Sequence, residues 1–384
     1  MTAVYIFGND IHWKMLEKNI SKICVNPDIF ILTNEEPKLK CKKWEKPNFT
    51  LSKESYKTGS FIEEYINYNI SKMKGETEYS KTIIYYSNTL YLPFSNEEKG
   101  IIVPYELAKY GTYMPSCRIV SHNYVFTDKM TSIHDLSPEY RKLLFDYYFD
   151  NKVYDFEYFK PNDKDFNEKT PVFLIPSLIH VKKDRTLFDS KERLDQTVFQ
   201  LKNIKEKLPE AKIYLLEVSP VNLYELFELS KYTDTVILFN TDKVAIHFGY
   251  IDPNKNKTEV YLLLKTIPLF LESNIGWICK FGGRYHFSDY FNPSLFFSKN
   301  PSFRLNPCCW DGRPIIETIL YSIPKLYLDS FLKILENVLN TLNLKYSDVE
   351  HEIYNSLQLF GIEINDLNIL GVEGYYASGQ YNIV

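Results

Sequence analysis

Two apolar runs, Pro171-Val-Phe-Leu-Ile175 and Ile213-Tyr-Leu-Leu216, decide the fold class of this chain because a helical segment joins them. That segment opens at Asp189-Ser-Lys-Glu192, which has the residues of a capping box, and Pro209 ends it. One face of the helix carries apolar side chains at spacings of three and four, namely Leu194, Val198, Leu201, Ile204 and Leu208. A strand, a helix and a strand in this order predict two parallel strands joined by a helical crossover.

The same alternation continues towards the end of the chain. The pattern predicts strands at 236–239 and 275–280, and helices at 222–229, 258–271, 325–342 and 348–360. The last helix follows Ser347-Asp-Val-Glu350, which is a second capping-box pattern. We therefore expect residues 171–384 to form an α/β domain, a Rossmann-like open sheet with helices on both faces.

The first 150 residues predict a smaller α/β domain of unknown role. Its apolar runs indicate strands at 4–7, 29–32 and 82–86, and its polar–apolar periodicity indicates helices near 13–20, 60–72, 105–110 and 138–149. Residues 151–170 are polar and poor in aliphatic side chains, so we expect an exposed linker between domains at 1–150 and 171–384.

The composition excludes several classes of protein. A formal charge of −4 argues against binding to nucleic acid by bulk electrostatics. The sequence contains neither GxGxxG nor GxxxxGK[ST], which excludes a standard dinucleotide fold and a P-loop NTPase. The apolar runs are shorter than the ~18 residues of a membrane span, the start lacks a signal-peptide pattern, and the six cysteines are scattered. We expect a cytoplasmic protein, in the host cytoplasm or a viral factory if the source is viral.

Ligands of such sheets bind beyond the carboxyl ends of the strands, so the candidate residues follow the predicted strands. Ser177 follows the first strand, and Arg193, Gln196 and Thr197 share one flank of the next helix. Asp242 and Lys243 follow the third strand. A guanidinium can pair with phosphate, and the amide and hydroxyl can bond a base or a ribose. The alternative is a solvated helix flank.

The fourth strand ends in Lys280-Phe-Gly-Gly-Arg-Tyr285. Glycine at Gly283 allows a close approach of the backbone to a ligand, with the Arg284 guanidinium and the Tyr285 ring beside it. The alternative is a turn with a surface arginine.

Four segments, in this order, resemble a glycosyltransferase-like family found in bacteria and large DNA viruses. They are Phe188-Asp-Ser-Lys-Glu-Arg-Leu-Asp-Gln-Thr197 with Pro209-Glu-Ala-Lys-Ile-Tyr-Leu-Leu-Glu-Val-Ser219, Lys280-Phe-Gly-Gly-Arg-Tyr285, Glu317-Thr-Ile-Leu-Tyr-Ser-Ile-Pro324 and Leu370-Gly-Val-Glu-Gly374. The resemblance covers residues 171–384 and leaves the first 160 residues outside it.

The resemblance implies a GT-A-like nucleotide-diphospho-sugar transferase fold. Such enzymes usually carry a DxD motif after the fourth strand, where it holds a divalent metal on the diphosphate, but this chain has Gly283-Arg-Tyr285 there. Its literal DxD, Asp163-Lys-Asp165, lies in the predicted linker. We therefore expect no metal and no cofactor, with Arg284 neutralising the leaving diphosphate, assisted by Lys280 or Arg193.

A transferase also needs a carboxylate to deprotonate the acceptor hydroxyl. Asp311, within Trp310-Asp-Gly-Arg313, and Glu373 are the candidates, and Glu317 is another acid in this part of the chain. Arg313 is a candidate substrate contact. Tyr285, Trp310 and Tyr321 are candidate sugar-stacking rings, although core packing is the commoner use of such rings.

The sequence thus predicts an enzyme that transfers a sugar from a nucleotide-sugar donor to a glycan or glycoprotein acceptor. Two alternatives stay open: a non-catalytic module that binds nucleotide or glycan, and a two-lobed GT-B-type transferase that includes residues 1–150. The histidines lack metal-ligand spacing, and no GxSxG elbow supports a serine hydrolase of that type.

Overall fold

The computed structural model describes residues 2–7, 13, 17, 20–21, 26–33, 36–45, 81–86, 89–93, 100–104, 118–120, 138–181, 185–307, 312–375 and 381–383. The helices predicted at 60–72 and 105–110, as well as Trp310 and Asp311, lie outside the described residues. The chain divides into two compact units, residues 1–148 with 222–224, and residues 149–221 with 225–384.

In its described part, the first unit has a mostly parallel sheet. Its strands are β1 Thr2–Phe7, β2 Asp28–Leu32, β3 Lys43–Glu45, β4 Lys81–Tyr86, β5 Thr89–Pro93, β6 Gly100–Pro104 and β7 Arg118–Val120. The five-stranded sheet has the order β3-β2-β1-β4-β7, with β7 antiparallel to β4, and β5 and β6 form a separate antiparallel pair. Parallel pairing of β1 with β2 and β4 confirms the three predicted strands. Helix α1, Pro138–Phe149, follows.

The second unit contains most of the described elements. Its longer strands and the helices between them are β8 Val153–Asp155, β9 Pro171–Ser177, α2 Ser190–Lys207, β10 Lys212–Glu217, α3 Leu223–Ser230, β11 Thr235–Leu238, α4 Lys243–Tyr250, α5 Asn256–Thr266 and β12 Trp277–Phe281. The later elements are β13 Tyr285–Phe287, α6 Pro293–Phe296, β14 Ser302–Phe303, β15 Leu305–Asn306, β16 Ile315–Ile316, β17 Leu320–Pro324, α7 Leu328–Leu344, α8 Val349–Leu359, β18 Asn365–Asp366, β19 Val372–Tyr375 and β20 Tyr381–Ile383.

The main sheet of the second unit has eight strands in the order β18-β14-β17-β12-β9-β10-β11-β8. The neighbours β12, β9, β10, β11 and β8 are parallel, whereas β17 runs antiparallel to both β12 and β14. This mixed α/β architecture confirms the predicted α/β class and the mostly parallel sheet. Two smaller sheets, β13-β19-β20 and β15-β16, complete the described strands of this unit.

Other elements cover both faces of the main sheet. Successive side chains of each strand point to opposite faces, so residues of one strand pack into both layers. Val172 and Leu174 of β9 belong to a large core cluster with residues of α5, α7 and α8. The intervening Phe173 is equally buried, and its ring contacts Phe281 and Phe287 on the other face. Helix α2 lies on that second face, where it packs against β13. The sheet is therefore the middle layer of a three-layer core.

The predicted linker is wrong, because residues 151–170 are part of the second unit. Strand β8 pairs in parallel with β11 and forms one edge of the main sheet. The rings of Phe159 and Phe166 are buried and contact Phe270 in the core. The polar composition of residues 151–170 gave no sign that two of their aromatic rings are buried. The three-residue strand β8 was missed because a strand this short shows little periodicity.

Two further details differ from prediction. Helix α5 ends at Thr266 and continues as a 3-10 turn, Ile267–Phe270, because Pro268 cannot supply the next helical N–H. The second capping box does not form, since Asp348 is the N-cap and the Ser347 hydroxyl instead donates to Glu352 at 2.6 Å. The first capping box, between Asp189 and Glu192, is confirmed in both directions.

Candidate functional site

The strand order places the candidate site between the carboxyl ends of β9 and β12. The chain moves from β9 to β10 and β11 on one side, and then crosses to β12 on the other side of β9. Such a switch point leaves a crevice at the carboxyl ends of the two central strands, where open α/β sheets bind their ligands. The residues that end these strands, Ser177 and Phe281, therefore mark the site.

A tightly held turn follows β12. The Gln200 side-chain amide donates to the Gly282 carbonyl at 2.5 Å, and the Gly282 N–H donates to Ile319 at 2.7 Å. A Cβ on Gly283 would lie 3.3 Å from the carbonyl oxygen of Pro176, so a larger residue would press against the end of β9. Helix α2 thus fixes the backbone that presents the next residue, Arg284.

Thr197 has a different role from the predicted one. Its side chain is buried, and its hydroxyl donates to the Gly283 carbonyl at 3.4 Å. Thr197 therefore supports the turn and does not present its hydroxyl to a ligand. Gln196, on the adjacent flank, is half-buried, and its Oε1 has no hydrogen-bond partner among the described residues.

Arg193, Lys255 and Arg284 form what we call the cationic cluster. Burial and the charge of Arg284 lower the pKa of Arg193 to about 10, whereas Glu217 opposes this shift. Burial lowers the pKa of Arg284. Burial and the charges of Arg284, Arg185 and Arg193 lower the pKa of Lys255. The three cations are thus close enough to repel one another, which favours an anion between them.

The guanidinium groups of the cationic cluster have few protein partners. Arg193 uses Nε to donate to the Leu178 carbonyl at 2.8 Å. Within the described ranges, no carboxylate forms an ion pair with Arg193, Lys255 or Arg284. Arg185 differs, because its terminal nitrogens donate to two backbone carbonyls at the end of α4, that of Gly249 at 2.8 Å and that of Asp252.

Glu217, the last residue of β10, is a fully buried acid beside the cluster. Its Oε1 accepts from the backbone N–H groups of Ile179 at 3.2 Å and Ser219 at 2.8 Å, and from the Ser219 hydroxyl. Oε2 has no hydrogen-bond partner among the described residues. Burial raises the pKa of Glu217, while the neighbouring hydroxyls of Ser177 and Ser219 oppose the rise. Ser177 is buried opposite Glu217 in the β9–β10 pair.

Several predicted site residues instead have structural roles. Asp242 caps α4, accepting from Val244 at 2.8 Å and Ala245 at 3.1 Å, and Lys243 is exposed in the first turn of that helix. Tyr285 and Tyr321 are buried in the core, so neither can stack on a sugar. For the two tyrosines the cause is that successive residues at a strand end face either the crevice or the interior. The sequence does not show which of these residues face the interior.

Lys280 does not supply positive charge to the site, contrary to the prediction. Its side chain is buried and forms an ion pair with Glu259 of α5 at 2.7 Å, and it donates to the Thr318 carbonyl. Its charge is therefore neutralised inside the fold. Arg313 is exposed in the segment before β16, and Trp310 and Asp311 are not described, so their predicted roles stay predictions.

Glu373 lies on β19, directly opposite His286 of β13. Its Oε1 is 3.2 Å from His286 Nε2, and the carboxylate is half-buried. The β13–β19 pairing is tight, because a Cβ on Gly374 would lie 2.3 Å from the carbonyl oxygen of Arg284. Glu373 is thus held next to the strand that follows Arg284.

In its described part, the turn after β12 presents a cation and no cluster of acidic residues. Glu317 is half-buried, and burial and Glu350 raise its pKa, while Arg304 lowers it. Among the described residues, no three of His, Cys, Asp and Glu come together as metal ligands. The turn after β12 instead presents a guanidinium, which cannot act as a ligand to a cation.

A cleft lies at the amino ends of the parallel strands. This cleft, of about 570 Å³, is lined by residues before β9, β10 and β11, including Thr170, Lys205 and Asp234. In this cleft Asp234 pairs with Lys205 at 2.6 Å and with Lys212 at 3.4 Å, so the charges of these three residues compensate one another.

Sequence reasoning missed Glu217 and Lys255. A lone acid at the end of the buried run Ile213-Tyr-Leu-Leu216 was a signal for Glu217, because an acid rarely continues an apolar strand without a role. Nothing in the polar segment around Lys255 distinguished it. In the described part of the chain, no helix is long and apolar enough to cross a bilayer.

Comparisons with known proteins give little more. No family model matches the sequence, and no curated protein matches it. Among solved structures, the chain is similar to a proposed nucleotide-diphospho-sugar transferase from Desulfovibrio desulfuricans G20, with 11% sequence identity and a TM-score of 0.34. The match covers 53% of this chain and 80% of that chain. A likeness this low assigns neither fold family nor function, so the function is argued from the site alone.

Proposed function

We propose that the second unit is a GT-A-like glycosyltransferase that transfers a sugar from a nucleotide-sugar donor to a glycan or protein-linked acceptor. In this proposal the cationic cluster binds the diphosphate of the donor in place of a metal ion. The observation that carries the proposal is the pair of partly buried guanidinium groups, Arg193 and Arg284, at the switch point of the sheet, where the turn that carries Arg284 is bonded to the helix of Arg193 and the charge of Arg284 lowers the pKa of Arg193.

The energetics of burial favour an anionic ligand. Removing a cation from water is costly unless an opposite charge compensates it, and two neighbouring cations raise that cost. Folding nevertheless holds Arg284 there through the Gln200 and Thr197 contacts to its turn. A ligand with two or more negative charges would relieve the repulsion, and a diphosphate carries them at the spacing that two guanidinium forks can match.

The same cations would act on the chemical step. When the bond from the sugar to the diphosphate breaks, negative charge develops on the leaving phosphate. Preorganised positive groups stabilise that charge more in the transition state than in the bound donor, which is the condition for catalysis. Arg284 suits this role because the turn after β12 fixes its backbone.

Deprotonation of the acceptor hydroxyl would fall to a carboxylate. Glu373 is the described candidate, because it is half-buried and held by His286 beside the strand that follows Arg284. Asp311 is the other predicted base. Replacement of the true base by its amide should reduce transfer while leaving donor affinity unchanged, which separates the roles of the two acids.

One observation favours the second function, a non-catalytic nucleotide-binding module. Glu217, whose charge acts on Arg193, is fully buried and hydrogen-bonded, so it cannot reach an acceptor hydroxyl. A module of this kind would bind the donor through the same arginines and would not hydrolyse it.

A binding screen in excess chelator tests the proposal. Nucleotide-sugars, nucleoside diphosphates and pyrophosphate are added to the full chain, and the shift in melting temperature is recorded, since a ligand of the native state raises apparent stability. We expect a shift with one donor that Arg284→Ala abolishes and that Lys202→Ala, an exposed lysine on the same helix as Arg193, preserves. Absence of any shift would contradict the proposal, whereas binding without donor hydrolysis or transfer would favour the non-catalytic module.

A further inference from the structure

A serine, a histidine and a glutamate from three separate segments form a continuous chain of hydrogen bonds. His180 follows β9, Ser190 is the first residue of α2, and Glu225 lies on α3. His180 Nδ1 is 3.0 Å from the Ser190 hydroxyl, and His180 Nε2 is 2.9 Å from Glu225 Oε2. Neither the cationic cluster nor the proposed transfer uses these three side chains.

A neutral imidazole satisfies both contacts in one tautomer. In that tautomer Nε2–H donates to the Glu225 carboxylate, and Nδ1 accepts the proton of the Ser190 hydroxyl. A nucleophile in contact with a base, and a base oriented by a third group, is the arrangement that activates a serine. The order of the ring nitrogens is the reverse of that in chymotrypsin-like enzymes, but the transfer of the proton along the chain is equivalent.

The backbone of His180 is fixed on both sides of its ring. Its N–H donates to the Ser219 hydroxyl at 3.1 Å, and its carbonyl accepts from the Tyr250 hydroxyl at 2.7 Å. Burial lowers the pKa of His180. Hydrogen bonding to Glu225 and the charges of Glu225 and Glu217 raise this pKa by more than burial lowers it, so the net shift is upwards. A base with a raised pKa accepts the serine proton more readily.

The three groups are partly withdrawn from solvent. The Glu225 side chain is 10% exposed and the His180 side chain 27%, and Ser190 is half-buried. Ser190 also begins an 18-residue helix. The positive end of the helix dipole stabilises negative charge that develops on a group bound to Ser190.

We propose that Ser190 is a nucleophile towards small carboxylic esters, with His180 as general base and Glu225 as the group that orients it. The Ser190 oxygen bonds to the ester carbonyl carbon while its proton passes to His180 Nδ1. The bond from that carbon to the alkoxy oxygen then breaks, and the alcohol leaves with the proton from His180. Water attacks the acyl-serine in the same way, which releases the carboxylic acid and restores the Ser190 hydroxyl.

A fluorophosphonate probe tests the nucleophile directly in the full chain. Attack of Ser190 on the probe forms an oxygen–phosphorus bond, breaks the phosphorus–fluorine bond and passes the proton to His180. Peptide mass spectrometry should locate the adduct on Ser190, and p-nitrophenyl acetate should give slow turnover. The labelling rate should increase with pH as His180 loses its proton, and it should fall by roughly 10²-fold in His180→Gln.

Three variants make the result specific. Ser190→Ala should remove the adduct, whereas Ser294→Ala, an exposed serine in the first turn of α6, should leave labelling unchanged. Glu225→Gln should slow labelling and flatten its pH profile, and circular dichroism shows whether each variant is folded. Absence of an adduct on Ser190 in the wild-type chain would overturn the proposal, and so would an equal labelling rate in folded His180→Gln.

Discussion

The side-chain amide of Gln200 donates a 2.5 Å hydrogen bond to the carbonyl of Gly282, which connects helix α2 to the turn that carries Arg284. Arg193 lies on the same helix, two turns before Gln200. One helix therefore positions one guanidinium directly and the other through the turn. The cationic cluster therefore depends on this connection and on the contact of the Thr197 hydroxyl with the Gly283 carbonyl, which both join α2 to the turn after β12.

Replacement of Gln200 by methionine should loosen the turn with little change in volume. The Gly282 carbonyl loses its buried donor, so we expect a loss of about 1–3 kcal/mol in the free energy of unfolding. Urea unfolding measures this, with Lys202→Ala on the exposed face of the same helix as the control. Equal unfolding free energies for the wild type and Gln200→Met would show that the contact does not hold the turn.

Replacement of Arg193 by alanine should weaken nucleotide binding by ~1.5–3 kcal/mol, the range of a hydrogen bond to a charged group. Arg193→Lys should restore part of the affinity, because it keeps the charge and loses the planar fork. Isothermal titration calorimetry with the donor found by the screen measures both. Unchanged affinity in a folded Arg193→Ala protein would remove Arg193 from the site.

Activity should survive excess chelator, because the donors after β12 suit an anion and do not suit a divalent cation. Arg284→Ala should reduce turnover by roughly 10²–10³-fold, as for the loss of one preorganised stabiliser of developing charge. Arg284→Lys should recover part of the rate. Turnover is measured with chelator and with added Mn²⁺, and activity that chelator abolishes and Mn²⁺ restores would disprove the role of Arg284.

Stability should decrease with increasing pH because of Glu217. Burial raises the pKa of this carboxyl in the native state, so above about pH 4.3, the ordinary value, the unfolded chain has lost its proton while the native chain keeps it. The contribution of Glu217 to the free energy of unfolding is therefore largest below that pH. It decreases as the pH rises towards the raised native pKa. Glu217→Gln should flatten this dependence, and Glu210→Gln, an exposed acid, should not. Equal pH profiles of unfolding for wild type and Glu217→Gln would contradict the shift.

A fragment of residues 149–384 should melt cooperatively and at a higher temperature than a fragment of residues 171–384. The shorter fragment lacks β8, which leaves β11 as an unpaired edge, and lacks the buried rings of Phe159 and Phe166. Differential scanning calorimetry on both fragments measures the difference. Equal melting temperatures would show that residues 149–170 contribute nothing to the unit, as the predicted linker required.

Periodicity and capping residues were sufficient to predict the central strands and helices of the second unit. The strand at Pro171–Ser177, the helix from Ser190 and the strand at Lys212–Glu217 all follow local rules, since alternation and helical spacing are read over a few residues. The strand Val153–Asp155 was missed because its pairing with β11 is decided by residues about 80 positions away.

The sequence by itself predicted that Arg193 and Arg284 follow strands of a Rossmann-like open sheet, because the alternation of strands and helices is read from local patterns. The tertiary structure decided that these strands, β9 and β12, are neighbours. Only the tertiary structure decided which neighbours face the crevice. Thr197 and Tyr285 turned inwards, Lys280 found a carboxylate on α5, and Lys255 joined the cluster from a segment with no periodic signal. Their roles depend on contacts between residues that are far apart in the chain. A local pattern of residues carries no information about those contacts.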